Sequence, residues 1–140
     1  MSNYLNKAFE VGRFYKRRTL HQTYGGQERG GISTPAKHPL IFLFTGQTGE
    51  PFGYTDWWES DQIFHYYGEG QRGNMEFRGG NKAIRDHAGN GKELHVFKMK
   101  RHDPDVCYLG QMVYAGHDLT QAKDADSHSR TAIVFRLRPT

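Results

Sequence analysis

The sequence predicts an α+β domain built on a curved sheet or open barrel, and three observations carry that prediction. Short apolar or alternating runs recur along the chain, at Leu40–Thr45, Gln62–Tyr67, Glu93–Met99, Asp105–Ala115 and Thr131–Leu137. One short helical stretch, Asn81–His87, stands among them. Aromatic residues reach 14% while hydrophobic residues total only 36%, so Phe, Tyr and Trp must supply much of the packing. A chain of 140 residues fits one domain with a modest core.

Each element has its own signal. Leu40–Thr45 (LIFLFT) is continuously apolar and reads as a buried strand. Gln62–Tyr67 (QIFHYY) reads as a second strand. Glu93–Met99 (ELHVFKM) alternates, with Leu94 and Val96 on one face and His95, Phe97 and Met99 on the other. Asp105–Ala115 is a further strand interrupted at Gly110, and Thr131–Leu137 (TAIVFRL) is the last. In the helical stretch Asn81 is placed as the N-cap and Gly89 as the stop. Residues 3–24 read as an N-terminal helix, with Leu5, Phe9, Phe14, Leu20 and Tyr24 as apolar positions and Gly12 dividing it. Gly25–Gly31 (GGQERGG) cannot be regular structure, and residues 117–130 read as a polar loop.

Charge is unevenly placed. The net charge is +4, but residues 1–38 hold seven basic side chains against two acidic ones. Residues 39–80 hold two basic against six acidic, and residues 81–140 hold ten basic against seven acidic. Basic flanks around an acidic, aromatic centre suit a polyanion whose phosphates meet the flanks while something else meets the centre. An ordinary mixed surface gives the same numbers. The lone Cys107, in an apolar run, excludes an internal disulfide framework and a multi-cysteine zinc site and is expected to be buried. No apolar run approaches the roughly 20 residues that span a bilayer, and charges fall where a signal peptide carries its apolar core. A cytoplasmic protein without membrane association is the expectation.

The centre of interest is Phe44–Ile84, the densest meeting of glycine, aromatic and acidic residues in the chain. Its glycines tolerate close approach of a ligand to the backbone. Between them stand Tyr54, Trp57, Trp58, Tyr66 and Tyr67, with Asp56 and Glu69 alongside. Such a stretch suits an aromatic-lined, acid-tipped pocket for a flat ligand.

Within it, Gly53-Tyr54-Thr55-Asp56, then Phe64-His65-Tyr66-Tyr67-Gly68-Glu69-Gly70, then Asn81-Lys82-Ala83-Ile84 resemble the SRA (YDG) domain. The likeness is greatest to the SRA-like module of bacterial McrA-type HNH endonucleases. Their patterns stand here as Tyr24–Gln27, Gly30–Ser33, Phe44–Gly46, Gly53–Asp56, Tyr67–Met75, Gly80–Ile84 and Ala132–Leu137, with Asn74 in place of the usual Asp and Tyr67 in place of the Thr of the wider family. The resemblance implies one domain over residues 1–140, a PUA/SRA-like curved β-barrel (39–140) preceded by a basic helix and Gly-rich loop (1–38). It also implies a module that reads modified cytosine in double-stranded DNA, often by flipping the base. 5-Methylcytosine and 5-hydroxymethylcytosine are the expected targets. The implied partner is an HNH-type nuclease, fused or separate, in a modification-dependent restriction or defence system. No HNH segment is present, so cleavage is not implied for this chain.

On that resemblance the modified-base pocket is expected at Tyr54, Asp56, Trp57, Tyr66, Tyr67, Gly68, Glu69 and Gly70. Tyr54 and Tyr66 are the expected stacking pair, and Asp56 the acceptor for the cytosine N4 amino group. Trp57 and Trp58 are equally ready as core residues or as one pocket wall. Asp56 beside Gly and Thr is otherwise commonly a turn carboxylate. Phosphate and groove contacts are expected from Arg13, Lys16, Arg17, Arg18, Gln27 and Arg29. The eight histidines show no HxH, HExxH or HxxxH spacing, so no metal or cofactor is called for. The rivals are a small hydrolase or metal-dependent nuclease using scattered His and Asp residues of the same cleft, and a PUA-like RNA-binding protein.

Overall fold

The computed structural model describes residues 9–46 and 55–140. Tyr54 lies outside the described residues. Among the described residues eight strands and two helices follow one another as β1 (Phe14–Lys16), α1 (Arg17–Tyr24), β2 (Ile32–Ser33), β3 (Leu40–Thr45), β4 (Trp57–Ser60), β5 (Ile63–Tyr67), α2 (Gly79–Asp86), β6 (Glu93–Met99), β7 (Asp105–Lys123) and β8 (Ser129–Pro139). One sheet takes the order β2-β3-β6-β7-β8-β5-β4, with β1 added to β7. It is curved and does not close, because β2 and β4 end its two sides. The fold is α+β, as the strand pattern predicted.

β3 explains why both faces of the sheet are covered. All six of its residues are buried. Its alternate side chains feed two clusters. Leu40, Phe42 and Phe44 join Phe9, Leu20, Phe97, Val106 and Tyr108. Ile41 and Leu43 join Phe64, Tyr66, Ile84, Leu94, Val96, Met112 and Phe135. α1 caps the first cluster through Leu20, and α2 reaches the second through Ile84. β3 lies parallel to β6, which requires the crossover through β4, β5 and α2. In the aromatic cluster the Phe9 ring meets Tyr15, Tyr24, Phe42 and Phe97 edge-on at centroid distances of 5.3–6.3 Å. That geometry favours aromatic pairs beyond the area they bury.

Four expectations need correction. The helix predicted over residues 3–24 is a strand and an eight-residue helix from residue 14 onward. Phe14, Tyr15 and Lys16 instead pair with Cys107, Val106 and Asp105. The polar loop predicted at 117–130 is the far half of β7 and the start of β8, paired from His117↔Phe135 to Lys123↔Ser129. Asp118, Leu119, Gln121 and Lys123 are exposed there, so the ladder satisfies the backbone without an apolar signature. α2 starts at Gly79, two residues before the expected cap, and the Asn81 side chain is buried elsewhere. Cys107 is half-buried rather than core.

Candidate functional site

A cavity of about 960 Å³ opens between β3–β5 and the loop 68–79. Asp56 sits on its wall, just before β4. One carboxylate oxygen accepts the Thr45 hydroxyl at 2.5 Å and the other the Tyr67 backbone N–H at 2.8 Å. Burial pushes the carboxyl up to about 6, against the opposing effect of those two donors. A carboxylate has about four lone-pair directions, and among the described residues donors fill two of them. The group is therefore a held, ionisable acceptor facing a cavity, charged at neutral pH and neutral in mild acid.

The glycine-rich loop is a braced rim. Asn81 receives the Glu69 N–H at 2.8 Å and donates to the carbonyls of Glu69 (2.8 Å) and Glu76 (3.0 Å). Gly68 must be glycine for this, since a Cβ there would lie 2.7 Å from Asn81 Oδ1. The Glu69 carboxylate accepts the Gly80 N–H at 2.9 Å, at the positive end of α2. A Cβ on Gly80 would lie 2.7 Å from both Glu69 Oε2 and Ile32 Cγ2. Farther along, Arg130 donates to the carbonyls of Gly70 and Gly73, and Asn74 Oδ1 accepts the Thr131 N–H at 2.8 Å. An Asp at position 74 would accept the same bond, so the Asn is equivalent in this brace.

The aromatic residues divide. Tyr66 is only 3% exposed. Its hydroxyl donates toward the carbonyls of Gly31 (2.9 Å) and Phe44 (3.1 Å), and burial raises its pKa well above the ordinary tyrosine range. Tyr66 is thus built into the cavity lining and does not stand free as one half of a sandwich. Trp57 turns away and stacks on His65, with ring centroids 4.2 Å apart and planes 7° apart, outside the cavity lining. Trp58, its neighbour on β4, lines the cavity with 43% of its surface exposed. Tyr67 lines it as well, together with Gly68, Glu69 and Gly70.

The basic residues also divide. Lys16, Arg18 and Arg29 are exposed, and Arg13 is exposed with Glu10 3.5 Å away. Gln27 bonds Thr34 through both of its amide atoms and so shapes its own loop. Arg17 is half-buried, its guanidinium 3.8 Å above the Phe44 ring and bonded to Gly30 O at 2.9 Å. In that position most of its N–H donors are engaged inside the protein. The cavity lining brings in three cations that sequence reasoning missed: Arg72, Arg78 and Lys98. Thr45, Asn81 and Arg130 were missed too; Thr45 and Asn81 lay in recognisable motifs, and the caplike position of Asn81 hid its role.

Among the described residues, Asp124, Asp126 and His128 hold ligand-type atoms within 4.8 Å of one another. Asp124 is occupied in turn-making, accepting the N–H groups of Gly73, Asp126 and His128. Asp126 pairs with Arg72 at 2.8 Å. No helix among the described residues is long and apolar enough to cross a membrane.

The open, curved sheet, with its cavity between the strands of its two edges, has the fold of solved SRA domains. The pairing of a sulfur-binding domain with the SRA domain of ScoMcrA, complexed with phosphorothioated DNA, superposes with a TM-score of 0.73 at 20% identity, covering 99% of this chain and 42% of that one. The Type IV phosphorothioation-dependent restriction endonuclease ScoMcrA gives 0.73 at 20%, covering 94% and 24%. The SRA domain of SUVH5 in complex with hemi-methylated CG DNA gives 0.67 at 18%, covering 94% and 89%. At these identities the likeness is one of fold, and the chain spans less than half the length of the ScoMcrA chains. The chain belongs to the ScoMcrA-like SRA domain family, whose family model matches residues 11–140. Among curated proteins no match was found.

Proposed function

We propose that this chain binds double-stranded DNA carrying a modified base and takes that base into the cavity at Asp56. The observation that carries the proposal is the acceptor itself: a half-buried carboxylate, held by Thr45 and Tyr67 and with no further donor among the described residues, on the wall of a cavity in an SRA fold. Extruding a base costs a few kcal/mol in pairing and stacking. One aromatic contact returns about 1–3 kcal/mol. A good hydrogen-bonding contact to the base edge adds discrimination of about 1–3 kcal/mol. Trp58 and Tyr67 are the described rings best placed for the first, and Asp56, accepting from a cytosine N4 amino group, for the second. The targets are 5-methylcytosine and 5-hydroxymethylcytosine. The domain acts as the sensor of a modification-dependent restriction or defence system, with a nuclease in the same polypeptide or a separate one. The relatives complexed with phosphorothioated and with methylated DNA support modified DNA as the ligand class.

The test is equilibrium binding to matched duplexes carrying C, 5-methylcytosine, 5-hydroxymethylcytosine, N6-methyladenine or a phosphorothioate. Tighter binding to the modified cytosines supports the proposal. Equal binding across the set, or selective binding to the phosphorothioate alone, overturns the assignment of the cavity to a base.

A further inference from the structure

Arg17 and His21 stand one turn apart on α1 and both face the Gly25–Gly31 loop. Arg17 Nε donates to His21 Nε2 at 3.0 Å, which leaves His21 Nδ1–H to donate to Gly25 O at 2.9 Å. Arg17 Nη2 reaches Gly30 O at 2.9 Å and, more weakly, Gln27 O at 3.5 Å. Its third nitrogen points at Met99 Sδ at 3.5 Å, and the guanidinium plane lies over Phe44. The pair thus ties down the first and last turns of a loop that has no regular structure of its own.

That loop forms one side of the cavity. Gly30 and Gly31 line it, and Gly31 O accepts both the Phe44 N–H (2.7 Å) and the Tyr66 hydroxyl (2.9 Å). Tyr66 in turn lines the cavity beside Asp56. The chain of contacts therefore runs from α1 through the loop to the wall that would meet a base. Most of the Arg17 donors are already used inside the protein, so little is left for a phosphate.

We propose that Arg17, with His21, is a positioning residue for specificity: it sets the Gly25–Gly31 rim of the cavity and thereby the preference for a modified base. The inference rests on the base-binding proposal above. Arg and Lys separate it from a phosphate role, because Lys keeps the charge but loses the planar fork that holds two carbonyls and a ring at once.

The experiment measures affinity for modified and plain duplexes at several salt concentrations, for wild type and the Arg17→Lys, Arg17→Ala and Arg18→Ala variants. Arg17→Lys is expected to lower the modified-over-plain ratio about tenfold, the scale of one net hydrogen bond, with the salt slope unchanged. Arg18→Ala is expected to lower the salt slope by about one with the ratio unchanged. Arg17→Ala serves as the second variant, and circular dichroism shows whether it keeps the fold. If Arg17→Lys keeps the full ratio while Arg17→Ala lowers only the salt slope, the inference is overturned and Arg17 is a phosphate contact. A wild type with no preference for modified duplexes overturns base recognition itself, and is distinguished because the ratio is then one before any substitution.

Discussion

Replacing Asp56 by Asn should move stability and binding in opposite directions. The folded-state carboxyl lies at about 6 against an ordinary 3.8, with burial as the main cause. The folded protein therefore holds this proton more tightly than the unfolded chain. The resulting penalty is absent below about pH 4, grows through the interval to pH 6, and is complete above it. At about 1.4 kcal/mol per decade, the ionised carboxylate costs at most about 3 kcal/mol at pH 7.5. Asn cannot ionise and fits the same place: its carbonyl accepts the Tyr67 N–H and its amino group donates to Thr45 Oγ1. Asp56→Asn should accordingly raise the melting temperature at pH 7.5, by up to roughly 10 °C, and the gain should vanish near pH 4. The same change removes the charged acceptor for a base amino group, so affinity for a modified duplex should fall roughly 10- to 100-fold. Thermal unfolding between pH 4 and 8 and a binding titration at pH 7.5 check both arms. A variant that loses stability at neutral pH, or that keeps full affinity, refutes the reasoning.

Wild-type affinity for a modified duplex should weaken as pH falls through about 6, and this dependence should disappear in Asp56→Asn; titrations at pH 7.5 and 5.0 decide it. Asn81→Ala removes three hydrogen bonds that hold Glu69 and Glu76 and should cost about 2–4 kcal/mol in chemical denaturation, with loss of selective binding. Gly80→Ala forces a Cβ against Glu69 and Ile32 and should cost about 1–3 kcal/mol by the same assay. His87 accepts the Tyr114 N–H and meets Lys92 O, with burial lowering its pKa below 6.5. It must stay neutral, so its share of stability is full above pH 6.5 and is lost as pH falls through the lowered value. Burial lowers the His95 pKa as well, so comparing unfolding of Asp56→Asn with that of Asp56→Asn/His87→Gln across that range isolates the His87 share from His95 and from the opposite effect of Asp56.

The strands were legible where side chains sort by burial. β3 announces itself because both of its faces are covered, and β6 because its alternation survives in the sequence. The far half of β7 was invisible for the converse reason: its backbone is satisfied by β8 while Asp118, Gln121 and Lys123 remain in water. β1 was mistaken for helix because Phe14-Tyr15-Lys16 is too short to show a period, and only its pairing with Val106 and its neighbours defines it. At the site, glycine density and Asp56 were visible, since unusual composition is local. The roles of Tyr66 and Arg17 were not. Tyr66 was named for stacking on a base and Arg17 for a phosphate, and both are held by partners far away in sequence, Gly31 and Phe44 for one and Gly30 and Met99 for the other.

The central claim is that a modified base leaves the duplex and enters the cavity beside Asp56. A crystal structure of the chain bound to a duplex with one 5-methylcytosine tests it most directly. The account predicts the methylated base outside the stack, its N4 within hydrogen-bond distance of the Asp56 carboxylate and its ring against Trp58 or Tyr67. A methylated base still stacked in the duplex, with the cavity facing away from the DNA, would contradict it.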